Sequence, residues 1–400
     1  MQIQSNDLRP LKSPVKNPTT WIELDKKQFF KNISVLKKLS KNKLLALVVK
    51  ANAYGHGLLP VAQMAQENFD IDYLCTFKLS EALFLRENKI KKPILILGLI
   101  DDELSEAIKN NIDLTIFDLE TAQELDYQAK KLNRIANIHI KIDTGLSRLG
   151  FLYDDIESVK QISKLENINI KGIFSHFSES DIEEDSFTKL QIQRFVELLQ
   201  QLEEQNIEIQ FKHIENSSAV IRFQHDSIDF NSVRIGGSAY GLLLGDFNFV
   251  RVGGAAYGIK KDYINGAFPL DIKPIFSWKS RIINIKKVPA DSYISYARTF
   301  KADKETTIGI IPIGYCDGFD RRFSNNSFVL INNMKAKILG RVCMNMTIID
   351  VTNLDVQVGT EVTLMTDHPE LSPTFLAKKL DTINYELLTK INSEISRIIV

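Results

Sequence analysis

Eight short apolar runs, each bounded by turn residues, recur between residues 44 and 235 with amphipathic stretches between them. They are Leu44–Val49, Asp72–Cys75, Pro93–Leu97, Leu114–Phe117, Ile138–Ile142, Ile170–Phe174, Ile207–Phe211 and Ser232–Ile235. Spacers such as Asp118–Leu132 and Phe187–Gln205 carry a helical period. Eight strand–helix units predict an α/β fold, a TIM-like (β/α)8 barrel. The alternative is an open doubly wound sheet. No Gly-x-Gly-x-x-Gly turn follows the first strand, which weighs against dinucleotide binding. From about residue 270 the texture changes: Ile275–Lys287, Thr307–Gly314, Phe328–Leu339, Thr347–Val351 and Glu361–Met365 read as strands without helices between them. This predicts a C-terminal β-rich domain. Thr20–Leu24 is an isolated strand placed to pair with it. The expected division is a barrel over 26–265 and a β-rich domain built from 1–25 and 266–400.

Composition narrows the partners. The 400 residues hold 50 Lys plus Arg against 50 Asp plus Glu. A zero net charge argues against a nucleic-acid partner gripped through phosphates and against a polybasic membrane anchor. The longest apolar stretches fall far short of the ~20 residues of a membrane helix, and residues 1–20 lack the apolar core of a signal peptide. Cys75, Cys316 and Cys343 are too few for a disulfide framework and lack metal-ligand spacing. A cytoplasmic location is the expectation.

Catalytic groups of such barrels sit where strands end. The strand ends here deliver Lys50, Lys141, His176, His213 and Arg234, the last followed by Gly236 and Gly237. A lysine closing an apolar strand either reaches solvent or has a depressed pKa and serves as a nucleophile or base. A lone histidine is more often a satisfied core group than a catalyst. Two lysines, two histidines and an arginine at strand ends are harder to dismiss together. The diglycine would let backbone N–H groups approach a phosphate.

One segment repeats. Asn231-Ser-Val-Arg-Ile-Gly-Gly-Ser-Ala-Tyr-Gly241 recurs, little changed, as Asn248-Phe-Val-Arg-Val-Gly-Gly-Ala-Ala-Tyr-Gly258, an offset of 17 residues. A single duplication within 231–258 is a local tandem insertion, not a solenoid.

Val48-Val-Lys50-Ala-Asn-Ala-Tyr54-Gly-His-Gly57 resembles the cofactor-lysine motif of the bacterial alanine racemases, fold-type III pyridoxal-phosphate enzymes. Lys141-Ile-Asp-Thr-Gly-Leu-Ser-Arg148, Gly172-Ile-Phe-Ser-His176, His213-Ile-Glu-Asn216-Ser217, Ser295-Tyr296, Gly314-Tyr315, Cys343-Met344 and Asn384-Tyr385 follow in the family's order. The resemblance spans roughly residues 20–400. It implies interconversion of L- and D-alanine by two bases, supplying D-alanine for peptidoglycan. Lys50 would hold pyridoxal 5'-phosphate through its amine and act as one base. Tyr296 of the partner subunit in a homodimer with shared active sites would be the other. It implies further that His176 and Arg234 stand behind that tyrosine, with Arg234 facing the cofactor's pyridine nitrogen and His213 near the ring. Arg148 would meet the phenolic oxygen and the substrate carboxylate. Lys141 matches a lysine often carbamylated in the family. Tyr54, Asn216, Ser217, Tyr385 and the backbone of Gly236 and Gly237 would hold cofactor and phosphate. Met344 and Tyr315 would contact substrate. The entry channel would take Tyr315, Tyr385, Ile383, Asp181, Arg321 and Arg341.

Two features depart from the family. Asn345 stands where an Asp is usual; either the lost carboxylate alters substrate capture or preference, or the amide keeps the same hydrogen bonds and nothing changes, which is the expectation. The repeat offers two candidates for the pyridine-facing arginine: spacing from Asn216 selects Arg234, spacing to Tyr296 selects Arg251. Extra residues after the last barrel strand disturb less than extra residues before it, so Arg234 is the expectation. The alternatives are a racemase of serine or a basic amino acid, or a fold-type III decarboxylase. Lys141, His176 and His213 also resemble a metal-dependent hydrolase site, but the His-x-His of its first strand is missing; the expectation is no metal. A barrel-only cofactor-holding protein would lack the C-terminal domain.

Overall fold

The computed structural model describes residues 18–40, 42–179, 185–214, 216–225, 247–259 and 270–400. Within them the fold is an α/β barrel followed by a β-rich C-terminal part. Phe249–Val252, Leu44–Val48, Tyr73–Lys78 and Ile94–Leu99 pair side by side, all parallel. Leu114–Ile116, Ala136–Asp143, Ile168–Phe174 and Phe211–His213 continue in the same sense. Two seams close the ring. At one, Ile96 N–H donates to Asp113 O (3.0 Å) and Asp113 N–H to Ile94 O (2.9 Å). At the other, Asn248 N–H donates to Lys212 O (3.2 Å) and its side chain accepts from Lys212 N–H (3.0 Å).

Helices follow the strands as the apolar period requires. Asp118 caps Leu119–Lys131 and Asp25 caps Lys26–Leu39, each carboxylate accepting a first-turn N–H. The Lys26–Leu39 helix precedes the first barrel strand. Asn32 ties it to the chain leaving the last one, donating to Ala256 O and Lys273 O (3.2 and 2.9 Å). The barrel lumen is packed, not open: Ala46, Val48, Tyr73, Cys75, Leu95, Phe211 and Phe249 form one buried cluster.

Two strands differ from the sequence reading. The seventh is Phe211–His213, beginning where the expected Ile207–Phe211 ended. The eighth is Phe249–Val252, from the second copy of the repeat, rather than Ser232–Ile235. Packing explains the choice. Phe249 is fully buried, its ring centroid 4.5 Å from His213, 5.1 Å from Tyr73 and 5.6 Å from Phe211. The first copy has Ser232 at the matching position, and deleting a buried phenyl ring costs about 3–5 kcal/mol. Arg234, Gly236 and Gly237 lie outside the described residues.

Beyond the barrel, Met334–Lys337, Phe328–Ile331, Glu361–Met365, Phe276–Arg281, Thr20–Leu24 and Ser396–Ile399 make one six-stranded sheet. Thr20–Leu24 does pair there, antiparallel to Phe276–Arg281 and parallel to Ser396–Ile399. Asn284–Val288, Thr306–Ile311 and Thr347–Asp350 form a second sheet. The helix Asn384–Thr389 returns to the barrel mouth, where the Tyr385 and Tyr54 ring centroids are 5.4 Å apart.

Candidate active site

The chain turns abnormally after Lys50. Ala51, Asn52, Ala53 and Tyr54 all have φ between 52° and 54°, and Gly55 has φ 82°. Left-handed conformations cost a non-glycine residue about 1–2 kcal/mol each, so the turn needs support. Gly55 N–H donates to Ala51 O, Gly57 N–H to Asn52 O, and the Asn52 side chain accepts from Leu58 N–H (3.1, 2.8 and 2.8 Å). Gly55 has no room for a Cβ because the Leu388 carbonyl fills that space, and Arg397 Nη2 donates to Gly55 O (2.9 Å). Strain of this kind gathers at functional sites. It sets Lys50 and Tyr54 at the same mouth of the barrel.

Arg251 is the centre of charge. It is buried, and Nη2 donates to Ser175 O (2.7 Å) and Ile214 O (3.4 Å). Nη2 also lies 3.5 Å from His176 Nδ1, and Nη1 donates to His213 Nδ1. Phe174 fills the space between, stacked on His213 at 4.7 Å, with Lys141 Nζ 4.4 Å and the Arg251 guanidinium 4.9 Å from its centroid. Burial, then Arg148 and Arg251, lower the pKa of Lys50 against the pull of Glu81. Lys141 is 4% exposed; burial first, then Arg251 and Arg148, bring it down to about 7. Burial and then Arg251 also hold His176 and His213 well below the ordinary histidine value, so both are neutral. Arg148 is exposed in the turn after Asp143, whose carboxylate accepts from Gly145 and Ser147 N–H.

A cradle lies beside this cluster. Gly253 N–H donates to Ser217 Oγ (2.9 Å). A Cβ on Gly253 would stand 2.5 Å from the Tyr54 hydroxyl, and one on Gly254 would collide with the Tyr385 hydroxyl. The two glycines therefore let the Tyr54 and Tyr385 hydroxyls come close to the backbone, with the Ser217 hydroxyl beside them. Asn216 Oδ1 accepts from Ala219 N–H (3.0 Å) at the start of the helix Ser217–His225, an N-terminus that favours an anion.

Tyr296, Tyr315 and Met344 form a separate rim on the C-terminal part. Ser295 Oγ donates to Arg341 O (2.6 Å), and Tyr315 N–H and Cys316 N–H donate to Cys343 O and Met344 O (3.0 and 3.1 Å). Tyr296 is 70% exposed and Met344 56%. Asn345 donates to Cys316 Sγ (2.9 Å) on this rim. Ile383 is exposed, and Asp181 lies outside the described residues. The structure thus brings together Lys50, Tyr54, Lys141, His176, His213, Ser217 and Tyr385, adds Arg251, and sets Tyr296, Tyr315 and Met344 apart. Sequence reading missed Phe174 and the use of Gly253 and Gly254. The repeat was the available signal for the glycines.

Known proteins share the sequence pattern and the fold. Residues 24–244 match the family model described as alanine racemase, N-terminal domain, and residues 275–399 match alanine racemase, C-terminal domain. Alanine racemase of Clostridium tetani is 37% identical over 94% of each chain. That of Methanococcus maripaludis is 38% identical over 94% of this chain and 98% of its own. The chain belongs to the alanine racemase family. Among solved structures, alanine racemase of Clostridium difficile 630 superposes with a TM-score of 0.86 at 32% identity, covering 96% of this chain and 97% of that one. Pyridoxal phosphate is the cofactor of this isomerase family, and the residues present fit it. Three hydroxyls gathered against a glycine backbone suit a phosphate, a lysine with lowered pKa suits covalent attachment, and Arg251 adds a buried cation near that lysine.

Proposed function

We propose that this protein interconverts L- and D-alanine with two bases, in a homodimer whose sites are each completed by the other subunit. Bound pyridoxal phosphate supplies an electron sink that acidifies the α-proton of an amino acid. Lys50, made a better base by burial and its cationic neighbours, exchanges a proton on one face of Cα. Tyr296 of the partner subunit serves the opposite face. Its exposure here, with that of Met344, is what a residue completing a second copy requires. Tyr54, Ser217, Tyr385 and the backbone of Gly253 and Gly254 hold the phosphate, with Asn216 setting the helix start behind them. Arg251, the second candidate of the repeat, would face the pyridine nitrogen. A permanent cation there would keep that nitrogen unprotonated and restrain side reactions. His176 links Arg251 toward Tyr296, His213 backs Arg251, and Arg148, Met344 and Tyr315 meet the substrate. The observation that carries this reading is the cluster of Lys50, Lys141 and Arg251, close enough to lower the pKa of both lysines.

Lys141 has the chemistry for carbamylation. With a pKa of about 7, much of its amine is neutral at physiological pH and can add carbon dioxide, releasing a proton and leaving an anion beside Arg148. Labelled bicarbonate is expected to give a carbamate carbon resonance in the wild type and none in Lys141→Gln; no resonance in either contradicts it.

We divide the chain into a barrel over 26–265 and a domain of 1–25 with 266–400, a division supported by the pairing of Thr20–Leu24 with Phe276–Arg281. We place the reaction in the cytoplasm, where D-alanine serves peptidoglycan. Three free cysteines fit a reducing compartment, and no helix among the described residues is long and apolar enough to cross a membrane. The test is to incubate protein and pyridoxal phosphate in heavy water with L-alanine, L-serine or L-lysine. D-Alanine carrying deuterium at Cα is expected as the fastest product. Racemisation of serine or lysine alone, or release of carbon dioxide, overturns the assignment.

A further inference from the structure

A line of polar groups runs from Arg251 down through the barrel to its floor. His213 Nε2 lies 2.9 Å from His139 Nδ1. His139 Nε2, buried and without a hydrogen-bond partner, points toward Asp113 Oδ2 at 3.8 Å. Asp113 Oδ2 also accepts from Lys171 Nζ (3.0 Å) and the Tyr73 hydroxyl (3.2 Å). Asp113 immediately precedes the fourth strand, so it sits at the end of the barrel opposite Lys50, which follows the first. Asp113, His139 and His213 are all buried.

We propose that Asp113 and His139 are positioning residues that fix the tautomer of His213 and thereby hold Arg251. This rests on the role assigned to Arg251 above. An arginine only donates, so His213 Nδ1 must accept and carry no proton. His213 is neutral, which places its single proton on Nε2, directed at His139 Nδ1. His139 is neutral because burial outweighs the attraction of Asp113, so its own proton is on Nε2, facing that carboxylate. Burial alone would raise the Asp113 pKa, but His139 and Lys171 hold it lowered, so the charge at the floor persists. Each donor therefore points away from Arg251 and toward Asp113. Remove that charge and the polarity can reverse: His139 would protonate Nδ1, His213 would shift its proton to Nδ1, and an N–H would confront the Arg251 N–H. Phe174 stacks on His213 and Phe249 packs against its ring, so the imidazole cannot turn to escape the clash.

Cofactor-free protein with ¹⁵N-labelled histidine provides a direct readout, since the chain has only six histidines. Wild-type His213 and His139 are expected as pure Nε2–H tautomers. Asp113→Asn is expected to give mixed tautomers at His213. In the holoenzyme its kcat is expected to fall between about ten- and a hundredfold, the effect of a misplacement near ~1 Å, with KM nearly unchanged. His139→Leu, which leaves the His213 N–H without an acceptor, should do the same and covers the case in which Asp113→Asn fails to fold. His139→Asn restores an acceptor and is expected to recover most of kcat. A pure Nε2–H tautomer at His213 in both Asp113→Asn and His139→Leu overturns the proposal. So does full kcat in those variants while Arg251→Lys is impaired. Full activity in all three removes the assigned role of Arg251, and the relay's bearing on catalysis with it.

Discussion

Lys50→Ala is expected to lower alanine racemisation by more than about a thousandfold, the upper range for loss of a general base. The residue does two things that no neighbour can take over. It follows the first barrel strand by two residues, with its amine in a site where burial and Arg148 lower its pKa, so a larger fraction is neutral at working pH. It also enters the left-handed turn Ala51–Tyr54, which ties its backbone to Tyr54, proposed above as a phosphate ligand. Lys141 has a lowered pKa too, but it lies over the Phe174 ring and belongs to another strand. Circular dichroism of the variant should match the wild type, because the turn is held by backbone and Asn52 hydrogen bonds rather than by the lysine. The visible absorption of tethered cofactor should vanish after dialysis. A Lys50→Ala protein that keeps that absorption overturns the attachment.

The second large effect separates the two copies of the repeat. Arg251→Lys is expected to reduce kcat by about a hundredfold, because a single ammonium cannot reproduce a fork that donates to Ser175 O and His213 at once. Arg234→Lys is expected to stay within about twofold, because the second copy supplies the eighth strand and the buried arginine. Steady-state kinetics of both variants decides the matter. An impaired Arg234→Lys beside an intact Arg251→Lys would show that the first copy does the work. The structural ground for the second copy extends past the arginine. Tyr257 donates to Val48 O (2.7 Å) and stacks on His56 at 4.7 Å, while Gly253 and Gly254 lie under two hydroxyls.

The barrel was legible because its strands are apolar runs at even spacing, and Lys50 because a charged residue closes one of them. The eighth strand was not. Two copies that share Val-Arg, Gly-Gly and Ala-Tyr have the same local propensity, and the choice falls to a fully buried Phe249 whose neighbours come from strands far off in sequence. The left-handed turn at Ala51–Tyr54 was equally hidden, since three of its residues give no turn signal of their own and the conformation is imposed by Gly55, Asn52 and Leu388. His139 and Asp113 read as strand residues; only closure of the ring sets them in line with His213. Tyr296 stands on a 3-10 turn in the other domain, and no local pattern ties it to Lys50.

Mixing two inactive proteins tests the shared, two-base site most directly. Lys50→Ala and Tyr296→Phe homodimers should each be inactive, since every site lacks one base. After subunit exchange, half of the dimers are mixed, and in each of these one site holds both substitutions and the other holds neither. Activity is expected to recover to about a quarter of the wild-type value. No activity on mixing, with exchange verified by mass, would contradict it.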